Sequence, residues 1–287
     1  MTIKAILVPT DGEETLSTVL ETALVIARRF TAHITVLHVS DSSLKSAMYT
    51  NMSRDLKQKV LDEEKKILVA NAEEIRKKVE SFAQEHHIVL SEKPSSQEEV
   101  SLSFHHEIGN KREALVHWAR LFDTTAVMRP SKTKGRLGRA LYGNALESIM
   151  LQSGKPVLMI PPDWEAHQAQ NAVVAWNHSL EASRALAMTI PWLVQMNKVT
   201  VIVPKRLLES GEHVVEHLAW HGANAEVEVL NRRTSSVGKR ILGICDNVGA
   251  EFLVMGGYSH SRMQEHVLGG VTDYILRHSK VITVMAH

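Results

Sequence analysis

The chain has 287 residues, of which 44% are apolar and 23% charged, and its formal net charge is +1. This near-neutral balance argues against a broad nucleic-acid-binding surface, and the single cysteine, Cys245, excludes an intrachain disulfide. No uninterrupted apolar stretch approaches the ~20 residues of a membrane span, and residues 1–9 lack the apolar core of a signal peptide. The length suggests about two domains, and we expect a soluble cytoplasmic protein.

The first half of the chain alternates predicted strands and helices. Ala5 to Thr10 is a short apolar run, typical of a buried strand, and it ends at Asp11-Gly12. Residues 13–30 have apolar residues at helical spacing, and residues 34–39 are rich in β-branched residues. The further predicted elements are, in order, helix 13–30, strand 34–39, helix 53–87, strand 100–106, helix 111–121, strand 124–128, a helical stretch ending at 152, and strand 155–160.

The second half repeats this pattern after the prolines Pro161-Pro162 and a polar linker at 163–170. Residues 172–179 echo residues 6–12. The predicted elements after that opening strand are helix 181–195, strand 199–203, helix 211–221, strand 225–230, helix 237–248, strand 251–255, helix 266–278 and strand 281–285. We therefore predict an α/β fold with domains at 1–162 and 171–287, each a five-stranded, mostly parallel twisted sheet with helices on both faces.

A glycine-flanked loop follows the predicted strand 251–255. Gly256-Gly257 ends the strand, and Gly269-Gly270 opens the next apolar segment. Glycine lets the backbone approach a ligand closely, and a helix N-terminus suits an anion. Because ligands of such sheets bind beyond the carboxyl ends of the strands, this loop and the turn at Asn177 can converge on one ligand. The loop is thus predicted to hold the phosphates of a nucleotide.

The opening at 6–12 and this closing loop resemble the universal stress protein family in its tandem two-domain form. The nucleotide-binding members have Gly, two residues, Gly, nine residues, Gly, and then Ser or Thr; here Ser259 stands at the second glycine and Thr272 two residues after Gly270. The resemblance implies Rossmann-like (HUP-type) domains and a stress-response role. It also implies ATP or a related adenine nucleotide as ligand, with or without Mg²⁺. The two domains would pair through their last strands as an intramolecular pseudo-dimer, and a homodimer is a further option.

The resemblance places a nucleotide site in the second domain. Asn177 stands where the family usually has the Asp that meets the adenine, and Val203 would lie against the base. The residues that would surround ribose and phosphates are Gly256, Ser259, His260, Ser261, Arg262, Gly269, Gly270 and Thr272.

The first domain matches the family pattern less completely. Asp11 and Val39 match the adenine side, and Gly143-Asn144 is what remains of the closing motif. Arg129-Pro130 stands where Gly-x is expected, and Pro130 has no N–H to donate. We therefore expect this domain to be nucleotide-free or weak, with the competent site in the second domain. The basic residues of the loop could instead bind an anion; they are Lys132, Lys134, Arg136 and Arg139.

Three further features have simple structural interpretations. His213, His217 and His221 recur every four residues and could share a metal, but surface histidines are the simpler interpretation, and we predict no metal site. Trp176 could stack on adenine or pack in the core, and Cys245 fits a small core residue.

No catalytic signature is present. The sequence has neither a Gly-x-x-x-x-Gly-Lys-Ser/Thr loop nor a Gly-x-Ser-x-Gly elbow, so no catalytic residue is assigned. Two alternatives to a nucleotide-binding regulator stay open: an interaction scaffold with two degenerate sites, and a weak Mg-dependent ATPase.

Overall fold

The computed structural model describes residues 2–12, 16–41, 53–93, 99–129, 145–231, 236–257 and 270–287. Its strands form one eleven-stranded sheet in the order β3-β4-β2-β1-β5-β6-β11-β10-β7-β8-β9. The strands are β1 Ala5–Thr10, β2 His33–Asp41, β3 Val89–Leu90, β4 Ser101–Gly109, β5 Thr124–Met128, β6 Val157–Ile160, β7 Asn171–Ala175, β8 Lys198–Pro204, β9 Ala225–Leu230, β10 Phe252–Gly256 and β11 Ile282–Ala286.

Helices cover both faces of this sheet. They are α1 Leu16–Phe30, α2 Arg54–Glu85, α3 Lys111–Leu121, α4 over 145–152, α5 Leu180–Leu193, α6 Leu208–Trp220, α7 Val237–Asn247 and α8 Gly270–His278. A 3₁₀ turn, Lys205–Leu207, precedes α6. Within the described ranges, no helix combines the length and the apolar character needed to cross a membrane.

The two halves of the sheet have the same strand order, β4-β2-β1-β5-β6 and β9-β8-β7-β10-β11. They join through the antiparallel pair β6–β11, with Leu158 opposite Val284, whereas the other described strand pairs are parallel. The α/β fold with a mostly parallel sheet is therefore confirmed. The sequence did not predict β3, because a strand of two residues is too short to show a periodic pattern.

The hydrophobic core consists of two layers, and each layer runs through both halves. Helices α1, α2, α5 and α6 cover one face of the sheet, and α3, α4, α7 and α8 cover the other. Across the boundary, the rings of Phe30 in α1 and Trp192 in α5 meet edge to face, 6.3 Å between centroids. Next to them the Arg29 guanidinium donates to the side chain and the carbonyl of Gln195. The halves thus share one core.

Cys245 lies in this core, as predicted, and is 1% exposed. Burial, reinforced by the nearby Asp246 carboxylate, raises the pKa of its thiol to about 12. Because the thiolate is the reactive form, we expect a disulfide reagent to label Cys245 at neutral pH only when the protein unfolds. Absorbance of the released thiol product, with and without denaturant, checks this. Rapid labelling in native buffer would contradict the burial.

Candidate functional site at the carboxyl edge

The strand register makes residues of the two halves equivalent. Ile6 pairs with Thr124 in the first half, as Ala172 pairs with Phe252 in the second. Ser153 follows α4 and Ser279 follows α8. Each donates its backbone N–H to the carbonyl four residues earlier, and its hydroxyl bonds the backbone two residues later. The equivalent pairs that follow are Asp11 and Asn177, His38 and Val203, Val39 and Pro204, His106 and Val229, Met128 and Gly256, Arg129 and Gly257, and Leu146 and Thr272.

This register changes the predicted base-side residue of the second half. Val203 is fully buried, and a Cβ added to Gly211 of α6 would stand 2.8 Å from its Cγ1. Its side chain therefore packs in the core against α6, and only its main chain could face a ligand. The counterpart of Val39 is Pro204, one residue further along β8.

The predicted alignment of the first-half loop was wrong by one residue. Arg129 donates its backbone N–H to the Ile160 carbonyl (2.7 Å), and Gly257 makes the equivalent bond to Ala286 (2.9 Å). Arg129 therefore corresponds to Gly257, and Met128 stands where the second half has Gly256. Pro130, the other residue of that comparison, lies outside the described residues.

The Arg129 side chain crosses into the second half. Its Nη1 donates to the Leu276 carbonyl in the last turn of α8 (2.9 Å). Burial lowers the pKa of this guanidinium, and Asp163 of the linker partly offsets that effect. A cation at the carboxyl end of a helix is electrostatically favourable. The residue that replaces a loop glycine thus ties the first half to α8.

Asn177 lies in the turn between β7 and α5 and is exposed. Its Oδ1 accepts a hydrogen bond from the backbone N–H of Ser179 (3.2 Å), and Ser179 Oγ accepts from Ala182 N–H (3.2 Å) as the N-cap of α5. The turn therefore uses the side-chain oxygen, so the group that Asn177 offers to a ligand is its NH₂ donor.

Trp176, beside this turn, lies in the core. It is 9% exposed, and its Nε1 donates to Ser210 Oγ in α6 (2.9 Å). A buried indole with its N–H satisfied fits packing rather than stacking on a base.

Gly256 is required by packing, independently of any ligand. A Cβ at this position would stand 2.6 Å from the Ala182 nitrogen and 2.8 Å from the Glu181 carbonyl carbon, both in the first turn of α5. These are backbone atoms of a helix, which cannot move aside without shifting α5. The glycine therefore lets the end of β10 meet the N-terminus of α5, beside Asn177.

A small crevice opens at the carboxyl edge of the first half, between β1 and β5. Asp11 lies at this crevice and pairs with Lys111, which also lines it. Its other lining residues are apolar: Pro9, Leu115, Val127, Ala145, Leu146 and Ile149.

Two of the differences between the equivalent edges concern the predicted nucleotide site. Thr272 replaces Leu146 and so provides a hydroxyl group, and Asn177 replaces Asp11. Thr272 is 6% exposed, and Gly270 of the same helix is exposed. The first-half edge thus combines an apolar wall with the Asp11–Lys111 ion pair, whereas Asn177 and Thr272 give the second-half edge uncharged hydrogen-bonding groups.

Part of the predicted site cannot be placed. The predicted residues that lie outside the described ones are Ser259, His260, Ser261, Arg262, Gly269, Gly143 and Asn144. The basic residues Lys132, Lys134, Arg136 and Arg139 lie outside them as well.

The histidines of α6 lie near its C-terminal end. The rings of His217 and His221 meet at a steep angle, 4.9 Å between centroids. In the part of the chain that the structure describes, no three potential ligands come together for a metal ion.

The sequence did not predict a polar cluster formed by His38, Ser40 and His106. The two imidazoles stack with 5.5 Å between centroids. Ser40 Oγ lies 2.9 Å from Nε2 of His106 and 3.3 Å from Nε2 of His38, whose Nδ1 donates to the Thr10 carbonyl (3.0 Å). The histidines are distant in sequence, and only the pairing of β2 with β4 puts them side by side.

Comparisons with known proteins agree with this architecture. The model of the universal stress protein family matches residues 2–161. A universal stress protein from Archaeoglobus fulgidus DSM 4304 superposes with a TM-score of 0.68 at 18% identity, over 98% of this chain and 97% of that chain. A functionally unknown protein from Pseudomonas aeruginosa PAO1 gives a TM-score of 0.55 at 13% identity, over 98% and 92%. Comparison with curated proteins gives no significant match.

At these identities the structural likenesses show the fold, and the family model, which covers more than half of the chain, shows the relationship. The chain belongs to the universal stress protein family.

Proposed function

We propose that the protein is a stress-response regulator that binds ATP or a related adenine nucleotide in its second half. The observation that carries the proposal is the difference between the two equivalent edges. The first half has Leu146 and the Asp11–Lys111 ion pair, whereas the second half has Thr272 and Asn177 beside Gly256. Hydroxyl and amide donors near helix N-termini, at the carboxyl edge of the sheet, suit the oxygen atoms of a nucleotide.

The proposal includes the organisation of the chain. Residues 1–162 and 171–287 would be tandem domains joined by the linker 163–170, and the β6–β11 pair supports an intramolecular pseudo-dimer. A single buried cysteine supports a cytoplasmic location.

The first test is mass spectrometry of any ligand released when the purified full-length protein is denatured. We expect an adenine nucleotide, and we expect ATP with Mg²⁺ to raise the melting temperature, because a ligand that binds only the folded state stabilises it. Recovery of no nucleotide together with no thermal shift would refute nucleotide binding. Phosphate release by the same preparation separates a weak ATPase from a binding protein.

A pair of substitutions locates the site. We expect Thr272→Val, which keeps the shape of the side chain, to weaken ATP binding about tenfold, the equivalent of about 1.4 kcal/mol for one lost hydrogen bond to a charged group. Asp11→Ala, at the equivalent edge of the first half, should leave the Kd unchanged. Isothermal titration calorimetry measures both, and the opposite pattern would place the site in the first half.

An interaction scaffold without ligand is the second candidate, and the packing of Gly256 is compatible with it. The contact with α5 is enough to explain a glycine at position 256, so Gly256 is not by itself evidence of a phosphate loop.

A further inference from the structure

We propose that His38, Ser40 and His106 form an acid-sensitive cluster beneath α2, and that a proton taken up by His106 repels Arg76 and loosens α2 from the first half of the sheet. This inference goes beyond nucleotide binding and does not depend on it.

The second half shows that the fold does not need this cluster. The register equates His38 with Val203 and His106 with Val229, so the same positions are apolar in the other half. Burying the His38 imidazole where a valine can pack costs free energy unless its polar atoms are hydrogen-bonded. The first half therefore keeps a hydrogen-bonded polar cluster at a place where apolar packing is sufficient.

The distances fit an ordered chain of hydrogen bonds between neutral groups. His106 Nε2–H donates to Ser40 Oγ, the Ser40 hydroxyl donates to Nε2 of His38, and His38 Nδ1–H donates to the Thr10 carbonyl. In this arrangement each imidazole is neutral and each ring nitrogen in the chain has a defined role. The chain links the carboxyl ends of β1, β2 and β4.

The charged group that faces the cluster from α2 is Arg76. Its guanidinium lies 5.1 Å from the centre of the Phe104 ring, on the same side of β4 as His106, and Glu73 on the exposed face of α2 pairs with it at 3.3 Å. A charge on His106 would thus be repelled by the Arg76 guanidinium. Burial, then His38, then Arg76 lower the pKa of His106.

The position of Arg76 explains why α2 would respond. The helix has 32 residues, a length of about 48 Å at 1.5 Å per residue. Residues 54–71 contain no buried side chain, and the buried positions begin at Ala72, one turn before Arg76. Repulsion at Arg76 therefore acts on the first turn that rests on the sheet, whereas Val79 and Ala83 further along are held by apolar contacts.

The direction of the pH effect follows from linkage. A histidine whose pKa is lowered by folding binds fewer protons in the folded than in the unfolded state, so its contribution to stability is lost as the pH falls below about 6.5. On the opposite face of β2, burial and His105 lower the pKa of His33 as well, so the test must remove His38 and His106 specifically.

The test is hydrogen exchange of the full-length chain, followed by mass spectrometry at neutral pH and at about pH 5, with rates corrected for intrinsic exchange. We expect acid to speed exchange in 72–78 of α2 and not in 79–85. In the double variant His38→Val and His106→Val, which copies the second half, this acid response should be lost. His217→Gln, at an exposed histidine of α6, is the matched control and should keep it.

A second measurement covers the case in which the double variant does not fold. Proton NMR titration of the wild-type histidines, assigned through His106→Gln, should place the pKa of His106 below its ordinary value. A pKa of His106 at or above 6.5, an exchange rate in 72–78 that does not change with pH, or an acid response that persists without the two histidines would each overturn the proposal.

Discussion

Trp192→Ala is expected to lower the free energy of unfolding by about 3–5 kcal/mol, the usual range for removing a large buried aromatic side chain. Trp192 is 3% exposed and packs against Phe30 of the first half and Phe252 of the second, with ring centroids 6.3 and 5.9 Å away. Its loss leaves a cavity at the boundary between the halves. Because the core is shared, we expect both halves to lose stability together.

The matched control is Trp220→Ala at the end of α6. Trp220 is 89% exposed, so its removal should change the free energy of unfolding by no more than about 0.5 kcal/mol. Urea denaturation followed by circular dichroism and by fluorescence measures both variants. Equal effects of the two substitutions, or a Trp192→Ala transition that splits in two, would show that the halves do not share a core.

Gly256→Ala is expected to destabilise the protein by about 1–3 kcal/mol through overpacking, even in the absence of any ligand. The added Cβ would lie 2.6 Å from the Ala182 nitrogen, so β10 and α5 would have to separate. This result bears on function, because a loss of nucleotide binding in this variant would not by itself prove that Gly256 touches phosphate. Stability and binding therefore have to be measured on the same samples.

Gly243→Ala provides the control for this substitution. A Cβ at Gly243 meets no atom within 4 Å, and the residue lies inside α7, where alanine favours the helix by about 1 kcal/mol over glycine. We expect a neutral or stabilising effect in thermal unfolding. If Gly256→Ala were equally harmless, the close approach of β10 to α5 would be refuted.

The elements of the fold were predictable because their signals are local. The apolar runs that became β1, β5 and β10 and the helical spacing of α1 are read from neighbouring residues, and the N-cap of α2 is Ser53, the first residue of the predicted helix. The two-residue strand β3, Val89–Leu90, was not predicted, because its pairing with β4 and not its own residue pattern makes it a strand.

The location of two candidate residues on the fold was predictable, whereas their role in a nucleotide site stays a prediction. The switch between β7 and β10, with Asn177 and Gly256 on either side, follows from the order of the elements. The assignment of Val203 to the base came from the family resemblance and stays a prediction, but its side chain lies in the core and the strand register equates Pro204 with Val39. Residue spacing cannot reveal such a shift, because each step along a strand changes the face of the sheet.

The sequence by itself determined that the chain is an α/β protein of two similar halves, because hydrophobic periodicity and glycine-containing turns act over a few residues. Only the tertiary structure decided that the halves form one sheet with a shared core and that Gly256 is held against α5. The tertiary structure also brings His38 and His106 together. These features depend on residues far apart in the chain, and their contacts exist only when the strands have paired and the helices have packed on them.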